Sequence, residues 1–247
     1  MICKGRRALV TGAAGKGMGR SIALTLAREG AYVVVNYLTS QASADAIVKH
    51  IEGQGGKALA VRADVTTPEG CQTLVRSAVD HFGGLDICVV NPGGEWRPGP
   101  IQAISAEESI DDVTRELAPL FHLMPLVLPE MYKQGWGRLV GLSMTRDEKV
   151  TPGHGFSYCV GKAARTDALR MMSGQAWEHG VTVNVIAPGP VSPIETWEEA
   201  VEQCAHGPAW INRENVSPQD VAEGVAFLCS DAARYITGGE LPYRFGP

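Results

Sequence analysis

The chain has 247 residues, 45% of them hydrophobic and 20% charged, a composition typical of a folded domain and unlike that of a disordered chain. The 22 Lys and Arg residues against 27 Asp and Glu residues give a net charge of −5, which disfavours nucleic-acid binding. The six cysteines form no C-x-x-C pair, and neither a signal-peptide pattern nor a bilayer-length apolar run is present. We therefore expect one cytoplasmic domain over residues 1–247, without a nucleic-acid partner, membrane segment or metal site.

Short apolar runs alternate with longer amphipathic stretches along the chain. The runs are Ala8 to Val10, Tyr32 to Val35, Ala58 to Val61, Ile87 to Val90, Leu139 to Leu142 and Val181 to Ile186. Apolar runs with little polar alternation suit strands that are covered on both faces. The pattern predicts an α/β fold of the Rossmann type, a single doubly wound parallel sheet with helices on both faces.

A glycine-rich turn, Thr11 to Arg20, follows the first predicted strand and opens a helix. Residues without a Cβ atom let the backbone approach a pyrophosphate, and the N-terminus of the helix favours its negative charge. The turn is therefore expected to bind a dinucleotide through Gly12, Gly15, Lys16, Gly17, Met18 and Gly19. The alternative is a tight strand-to-helix turn that binds no ligand.

The end of the second predicted strand bears on the choice of nucleotide. An acidic residue there would bind the ribose hydroxyls and repel a 2′-phosphate. Asn36 stands at this position, neutral residues 37–40 follow it, and Lys16 adds a cation to the glycine turn. We therefore predict NADP(H) in preference to NAD(H), the alternative being that Lys16 is only a solvated loop residue.

Tyr158 and Lys162 are four residues apart on a predicted helix and should share one face. A nearby ammonium can lower the pKa of a phenol by roughly 1 to 3 units from its usual value of about 10. The pair therefore predicts an acid/base group. The alternative is a surface pair of little energetic worth.

Taken in this order, the motifs resemble those of the short-chain dehydrogenase/reductase family over nearly the whole chain, and most closely the NADPH-dependent 3-oxoacyl thioester reductases and related ketoreductases. The resemblance implies reduction of a small carbonyl substrate to an alcohol, with Tyr158 giving the proton and Lys162 holding the cofactor ribose. It also adds cofactor-binding positions after later strands, namely Asp64 and Val65, Asn91 and Gly93, and Pro188, Gly189 and Val191.

Several residues depart from the family pattern. Glu116 stands where the family has an asparagine that anchors a water chain to the lysine, and a carboxylate there should favour protonated Lys162 and oppose the phenolate. The family's serine, which binds the substrate carbonyl, falls on Met144 or Thr145 depending on register, with Ser143 a further hydroxyl. We expect Ser143 or Thr145 to bind the carbonyl. These departures and an unusual ending at residues 241–246 keep a second hypothesis open, a catalytically reduced relative that serves as the partner subunit of an active reductase.

Two further segments carry expectations. The helix around residues 117–129 is apolar nearly all round and needs cover on every face. In the family the equivalent helix packs against its copy, so the resemblance implies a homodimer or homotetramer. Residues 190–215 lie where the family covers its substrate, and Trp197 and Trp210 there either line a pocket or only pack this segment onto the body. Trp96 and Arg97 are a second candidate pocket wall.

Overall fold

The computed structural model describes residues 1–94, 96–144, 155–209, 213 and 215–243. Over these residues the chain forms a seven-stranded sheet in which all strands are parallel and the order is β3-β2-β1-β4-β5-β6-β7. The strands are β1 (Arg7–Val10), β2 (Tyr32–Tyr37), β3 (Lys57–Arg62), β4 (Ile87–Val90), β5 (Gly137–Leu142), β6 (Val181–Ala187) and β7 (Glu240–Pro242). The predicted fold class is confirmed.

Helices cover both faces of this sheet. They are α1 (Met18–Arg28), α2 (Gln41–Gly53), α3 (Pro68–Phe82), α4 (Ala106–Tyr132), α5 (Phe156–Trp177), α6 (Trp197–His206) and α7 (Pro218–Leu228), with short 3-10 turns at Ile101–Ala103 and Asp231–Ala233. The core is divided in two by the sheet, because successive strand residues point to opposite faces. Val10 packs with α1 and α7 on one face, whereas Leu9 packs with α3 and α4 on the other.

The six predicted strands are all present, and two differences matter for the site. Strand β2 continues two residues further than its apolar run, so Asn36 is part of the strand. Strand β7 was not predicted, because it is three residues long and partly exposed and contains Pro242. It joins the sheet beside β6, where Val185 pairs with Glu240.

The order of the strands reverses between β1 and β4. The strands that follow β1 in the chain, β2 and β3, lie on one side of it in the sheet, whereas β5, which follows β4, lies on the other side. In such a sheet a crevice opens at this point, beyond the carboxyl ends of the strands. The glycine turn follows β1 and the Asn91 segment follows β4, so both lie at the mouth of this crevice. Among the described residues, none of the helices has the length and apolar character to cross a membrane.

Candidate active site

The glycine turn is held in a conformation that only small residues allow. Gly12 has a φ of +59°, in the left-handed region that favours glycine. A Cβ atom at Gly19 would overlap the carbonyl oxygen of Gly12 and lie 2.9 Å from the Asn91 amide nitrogen. Residues 15–17 are exposed, and Gly17 caps α1 without a side-chain hydrogen bond. The turn therefore leaves the N-terminus of α1 open towards the crevice.

Asn91 ties the end of β4 to this turn. Its side-chain amide donates to the carbonyl oxygens of Thr11 and Gly12 at 3.1 and 3.3 Å, and its backbone N–H donates to the Thr11 hydroxyl at 3.0 Å. The Thr11 hydroxyl in turn donates to the carbonyl of Val89. Asn91 thus positions the glycine turn, a role that the sequence motif did not indicate.

The structure corrects the interpretation of Asn36. Its side chain is 2% exposed, its Oδ1 accepts from the Gly12 N–H at 2.9 Å, and its Nδ2 donates to the Ala63 carbonyl at 3.0 Å. Since β2 runs on to Tyr37, Asn36 supports the glycine turn from within the sheet instead of facing a ribose. The exposed residues after the strand begin at Leu38, whose carbonyl accepts from Arg62 Nε at 3.1 Å. Arg62 is a cation at this edge that sequence reasoning missed.

Asp64 and Val65 follow β3 at the same edge of the sheet. The Asp64 carboxylate accepts from the Thr66 hydroxyl and backbone N–H at 2.6 and 2.9 Å, and these bonds lower the pKa of Asp64. A Cβ atom at Gly70 would overlap the Asp64 carbonyl, so α3 begins tightly against this turn. The adenine contact that was expected of Asp64 and Val65 stays a prediction.

The segment after β6 contacts the glycine turn. Lys16 Nζ lies 2.7 Å from the Glu195 carboxylate, with both side chains mostly exposed, and the Lys16 carbonyl accepts from the Ile194 N–H. The Arg20 guanidinium donates to the Ile194 carbonyl at 2.6 Å. Arg20 and Glu195 were not singled out in the sequence, because the contact joins segments about 175 residues apart.

The described part of the substrate-covering segment packs onto the body. Pro188 and Gly189 follow β6, and Val191 pairs with Val216 in an isolated parallel bridge. Trp197, at the start of α6, packs against the core with its ring centroid 5.6 Å from that of His50. This contact favours the packing role for Trp197. Trp210 lies outside the described residues.

Tyr158 and Lys162 share one face of α5, as predicted. Lys162 Nζ lies 5.2 Å from the centroid of the Tyr158 ring and 3.4 Å from the Leu142 carbonyl at the end of β5. The Trp96 ring stands edge-on to Tyr158, with centroids 5.3 Å apart. The pair therefore lies beyond the carboxyl ends of β4 and β5, with Trp96 as a wall.

Glu116 and Arg165 are buried beside this pair, both at 0% exposure. Glu116 Oε2 lies 3.3 Å from Lys162 Nζ and 3.1 Å from Arg165 Nη2, while its Oε1 accepts from the Gly94 N–H at 2.8 Å. Arg165 also donates to the backbone carbonyls of Glu116, Leu142 and Pro92. Sequence reasoning found Glu116 but missed Arg165, whose signal was a charged residue on the buried face of α5.

The pKa values of Tyr158 and Lys162 both shift against the directions predicted from the sequence. Burial and the Glu116 carboxylate raise the pKa of Tyr158 to about 12, so the ammonium does not produce the predicted lowering. Burial and the Arg165 guanidinium lower the pKa of Lys162 to about 8, against the opposing pull of Glu116. Glu116 therefore acts in the predicted direction on both groups, but for Lys162 burial and Arg165 outweigh it.

The hydroxyl of Ser143 is turned away from this cluster. Ser143 is buried, its Oγ donates to the Lys162 carbonyl at 2.9 Å and it lies 2.6 Å from the Thr166 hydroxyl. These bonds join β5 to α5, which gives Ser143 a packing role and speaks against the role expected for it with the substrate carbonyl. Met144 follows it and is half-buried. Thr145 lies outside the described residues.

A second carboxylate lies one helical turn from Glu116. Asp112 is buried and accepts from the Ser157 hydroxyl at 2.6 Å, and Arg97 Nε is 4.0 Å from its other oxygen. Ser157 directly precedes Tyr158, so this bond fixes the first turn of α5 against α4. Arg97 thus stands on the Tyr158 side of the crevice.

Towards the other end of the chain, Tyr243 fastens β7 to the rest of the fold. Tyr243 donates its hydroxyl to the Asp220 carbonyl at 3.0 Å, which ties the end of β7 to α7. The remaining residues of the unusual ending, 244–247, are outside the part of the chain that the structure describes.

A glycine turn at the switch point of a doubly wound sheet and a Tyr/Lys pair beside it define an oxidoreductase that uses a nicotinamide dinucleotide. The chain belongs to the short-chain dehydrogenase/reductase family, and a family model described as enoyl-(acyl carrier protein) reductase matches residues 12–246. It is similar to the 3-oxoacyl-[acyl-carrier-protein] reductase of Staphylococcus aureus, with 33% identity over 98% of this chain and 97% of the relative.

A second relative acts on a different kind of carbonyl compound. The 7alpha-hydroxysteroid dehydrogenase of Escherichia coli is 35% identical over 98% of this chain and 94% of its own length. A solved 7 alpha-hydroxysteroid dehydrogenase, in complex with NADH and 7-oxo glycochenodeoxycholic acid, superposes with a TM-score of 0.84 at 33% identity, over 98% of this chain and 93% of that one. These relatives make the chain an oxidoreductase that interconverts carbonyls and alcohols.

Proposed function

We propose that this protein reduces a ketone or 3-oxoacyl carbonyl to an alcohol with NADPH, and that Tyr158 gives the proton to the carbonyl oxygen. The observation that carries the proposal is the position of Tyr158 and Lys162 on one face of α5, beyond the ends of β4 and β5 and against Trp96. A bound nicotinamide supplies the hydride. Tyr158 balances it with a proton, and the Lys162 ammonium steadies the negative charge left on the phenol.

The residues present fit a dinucleotide. The open N-terminus of α1 and the glycines of the turn suit a pyrophosphate, because side chains would fill the space that it needs. We assign Gly12, Gly15, Gly17, Met18 and Gly19 to the pyrophosphate. The ribose next to the nicotinamide is assigned to Lys162, and the edge formed by Asp64 and Val65 to the adenine. Gly93, Pro188, Gly189 and Val191 complete the proposed cofactor wall.

The preference for NADP(H) is supported by different residues from those first considered. Leu38 is exposed and begins a neutral stretch after β2, and Arg62 reaches that stretch from β3. A neutral edge with a neighbouring guanidinium favours a 2′-phosphate, which guanidinium binds well. Calorimetric titration should give tighter binding of NADPH than of NADH, and Arg62→Met should reduce that ratio. Equal affinities in the unaltered protein would remove the preference.

Replacement of Tyr158 by Phe tests the reaction. The change removes the hydroxyl and keeps the ring against Trp96, so turnover on a ketone and 3-oxoacyl thioester panel should fall by about 10²-fold or more. NADPH affinity should stay the same. Tyr235→Phe is the matched control, because Tyr235 is exposed and lies near the end of the chain. Reduction that persists undiminished in Tyr158→Phe would exclude Tyr158 as the proton donor.

A second candidate function is that of a catalytically reduced partner subunit. Two observations favour it: the Ser143 hydroxyl is hydrogen-bonded to α5, and the pKa of Tyr158 is raised. Under this hypothesis the chain binds a homologous reductase and contributes little turnover itself. Purified protein would then bind NADPH without reducing any member of the panel, and would increase the activity of the homologous reductase when mixed with it. Turnover by the purified chain alone favours the first proposal.

We also propose that the protein works in a reducing, cytoplasmic setting. A separate proposal is that the chain self-associates through α4 and α5. Phe121 on α4 is 48% exposed, and Phe156, Val160 and Met171 on α5 are exposed as well. Exposed apolar side chains on two adjacent helices are typical of an interface between subunits. Sedimentation should give the mass of a dimer or tetramer, and Phe121→Glu should lower that mass. A monomer in solution would rule out this assembly.

A further inference from the structure

We propose that Arg165 and Glu116 are positioning residues that together set the charge of Lys162. The inference rests on the proposed carbonyl reduction, because it concerns the lysine that assists Tyr158. The three groups form a buried triad in which one carboxylate oxygen of Glu116 lies within 3.3 Å of both cationic side chains.

The three members of the triad are buried and are not accidental surface charges. Glu116 and Arg165 have no exposed area, and Lys162 is 5% exposed. A buried charge without a partner is costly, so each member depends on the others. Arg165 also holds the surrounding backbone in place. Its guanidinium donates to the carbonyls of Glu116, Leu142 and Pro92 and thereby joins α4, β5 and the segment after β4.

The backbone around Glu116 is shaped to hold a side chain of this size. A Cβ atom at Gly93 would overlap the Glu116 carboxylate, and one at Gly161 would lie 2.8 Å from Glu116 Cβ and Cγ. Gly94 supplies its N–H to Oε1. Three glycines from two different segments thus surround one glutamate. This fit indicates a built site for Glu116, not a damaged version of the family's asparagine site.

The two positioning residues act on Lys162 in opposite directions. Arg165 lowers the pKa of Lys162 and Glu116 raises it, while burial lowers it further. The other ionisable groups around the cluster are Asp112, bonded to Ser157, with Arg97 near it, and Tyr158 and Cys159 on α5. Arg165 and Glu116 are the described charged side chains that act on Lys162 directly, and their balance decides at which pH it loses its proton.

The proton balance of the reaction shows why this matters. When Tyr158 gives its proton to the carbonyl oxygen, a phenolate remains. The Lys162 ammonium can return a proton to it and become a neutral amine, which then regains a proton from water. An amine with a pKa near 8 gives up its proton more readily than an ordinary lysine, and Arg165 compensates for the unfavourable presence of Glu116 beside the phenolate.

The test is the pH dependence of NADPH binding, followed by nucleotide fluorescence between about pH 6.5 and pH 10. Binding should weaken where Lys162 loses its charge. Arg165→Met should move this break upward by about one pH unit, and Glu116→Gln should move it downward by a similar amount, since each removes one of two opposed charges. The double variant should return the break close to its original position. Lys162→Arg should abolish it, which identifies the titrating group.

Further variants separate this role from a merely structural one. Arg165→Lys keeps a cation and should keep the break, while Arg170→Met, an exposed arginine on the same helix, should change nothing. Thermal melting identifies variants that do not fold, and the double variant, which leaves no buried charge of the pair unpaired, should fold even where a single one does not. Breaks that stay in place, or move in the same direction, in both single variants would overturn the inference. Opposed shifts in a protein that binds NADPH but reduces no carbonyl would instead refute the proposed function alone.

Discussion

The glycine turn and the buried charged cluster of Glu116, Lys162 and Arg165 lie at the same edge of the sheet but are stabilised in different ways. In the turn, Asn36 accepts from the Gly12 N–H and Asn91 donates to the Thr11 and Gly12 carbonyl oxygens, so these hydrogen bonds join neutral groups. The cluster is built around Glu116 and its two cationic partners, all buried. The turn is therefore stabilised by hydrogen bonds between neutral groups, and the cluster by attraction between opposite buried charges.

The largest expected effect is on the turn. Gly19→Ala places a methyl group against the Gly12 carbonyl and the Asn91 amide, where there is no space for it. Such overpacking costs typically about 1 to 3 kcal/mol, and because the turn must move to make room for the methyl group, NADPH affinity should fall by about five- to 150-fold. Gly174→Ala is the matched control, because nothing lies within 4 Å of the added carbon. Calorimetric titration gives the NADPH affinity of both variants, and equal affinities would contradict this account of the turn.

Asn36→Asp should also damage the turn instead of changing the nucleotide preference. The carboxylate would be buried, and the donor to the Ala63 carbonyl would be lost. Loss of one buried partner costs about 1 to 3 kcal/mol, and more where a charge is left, so urea unfolding should show a lower free energy of unfolding. Leu38→Asp, on the exposed edge, should instead shift preference towards NADH. A folded, fully stable Asn36→Asp protein that prefers NADH would restore the first interpretation.

The ionisation of Lys162 in the cluster should determine how the rate of carbonyl reduction depends on pH. Lys162 carries its charge below its pKa of about 8 and loses it above, so the rate should be level below that pH. It should then fall by about tenfold for each unit above it, as expected of a single essential ionisation. The break should be absent when NADPH binding alone is followed in Lys162→Arg. A rate that rises through pH 9 would show that charged Lys162 is not required.

The smallest effect is expected at the ion pair between the glycine turn and the segment after β6. Glu195→Gln removes the partner of Lys16, but both side chains are more than 60% exposed. Exposed pairs contribute about 0.2 to 1 kcal/mol, so the free energy of unfolding should change by no more than that. NADPH affinity should rise slightly at low salt, as Lys16 is freed for phosphate. A large loss of stability would mean that this pair, and not the Arg20 bond to Ile194, fastens the segment.

Sequence reasoning worked where the signal was local. The apolar strand runs, the glycine motif and the four-residue spacing of Tyr158 and Lys162 can each be found along the chain without knowing which elements pack together. It failed at Asn36, because the exact end of β2 depends on pairing with β3. The hydroxyl expected from Ser143 or Thr145 stays a prediction, and the hydrogen bonds of Ser143 to α5 speak against Ser143, because a shift of one residue turns a side chain to the other face of a strand.

The amino-acid sequence by itself determined the doubly wound sheet, the position of the glycine turn after β1 and the shared helix face of Tyr158 and Lys162, since each follows from apolar runs or from short motifs in fixed order. Only the tertiary structure decided that Arg165 meets Glu116 across 49 residues, and that Asn36 supports the turn from inside the sheet. The physical reason is that burial, and the pairing of buried charges, depend on which elements pack together. The sequence around a charged residue on a helix does not show whether its side chain faces water or an oppositely charged side chain.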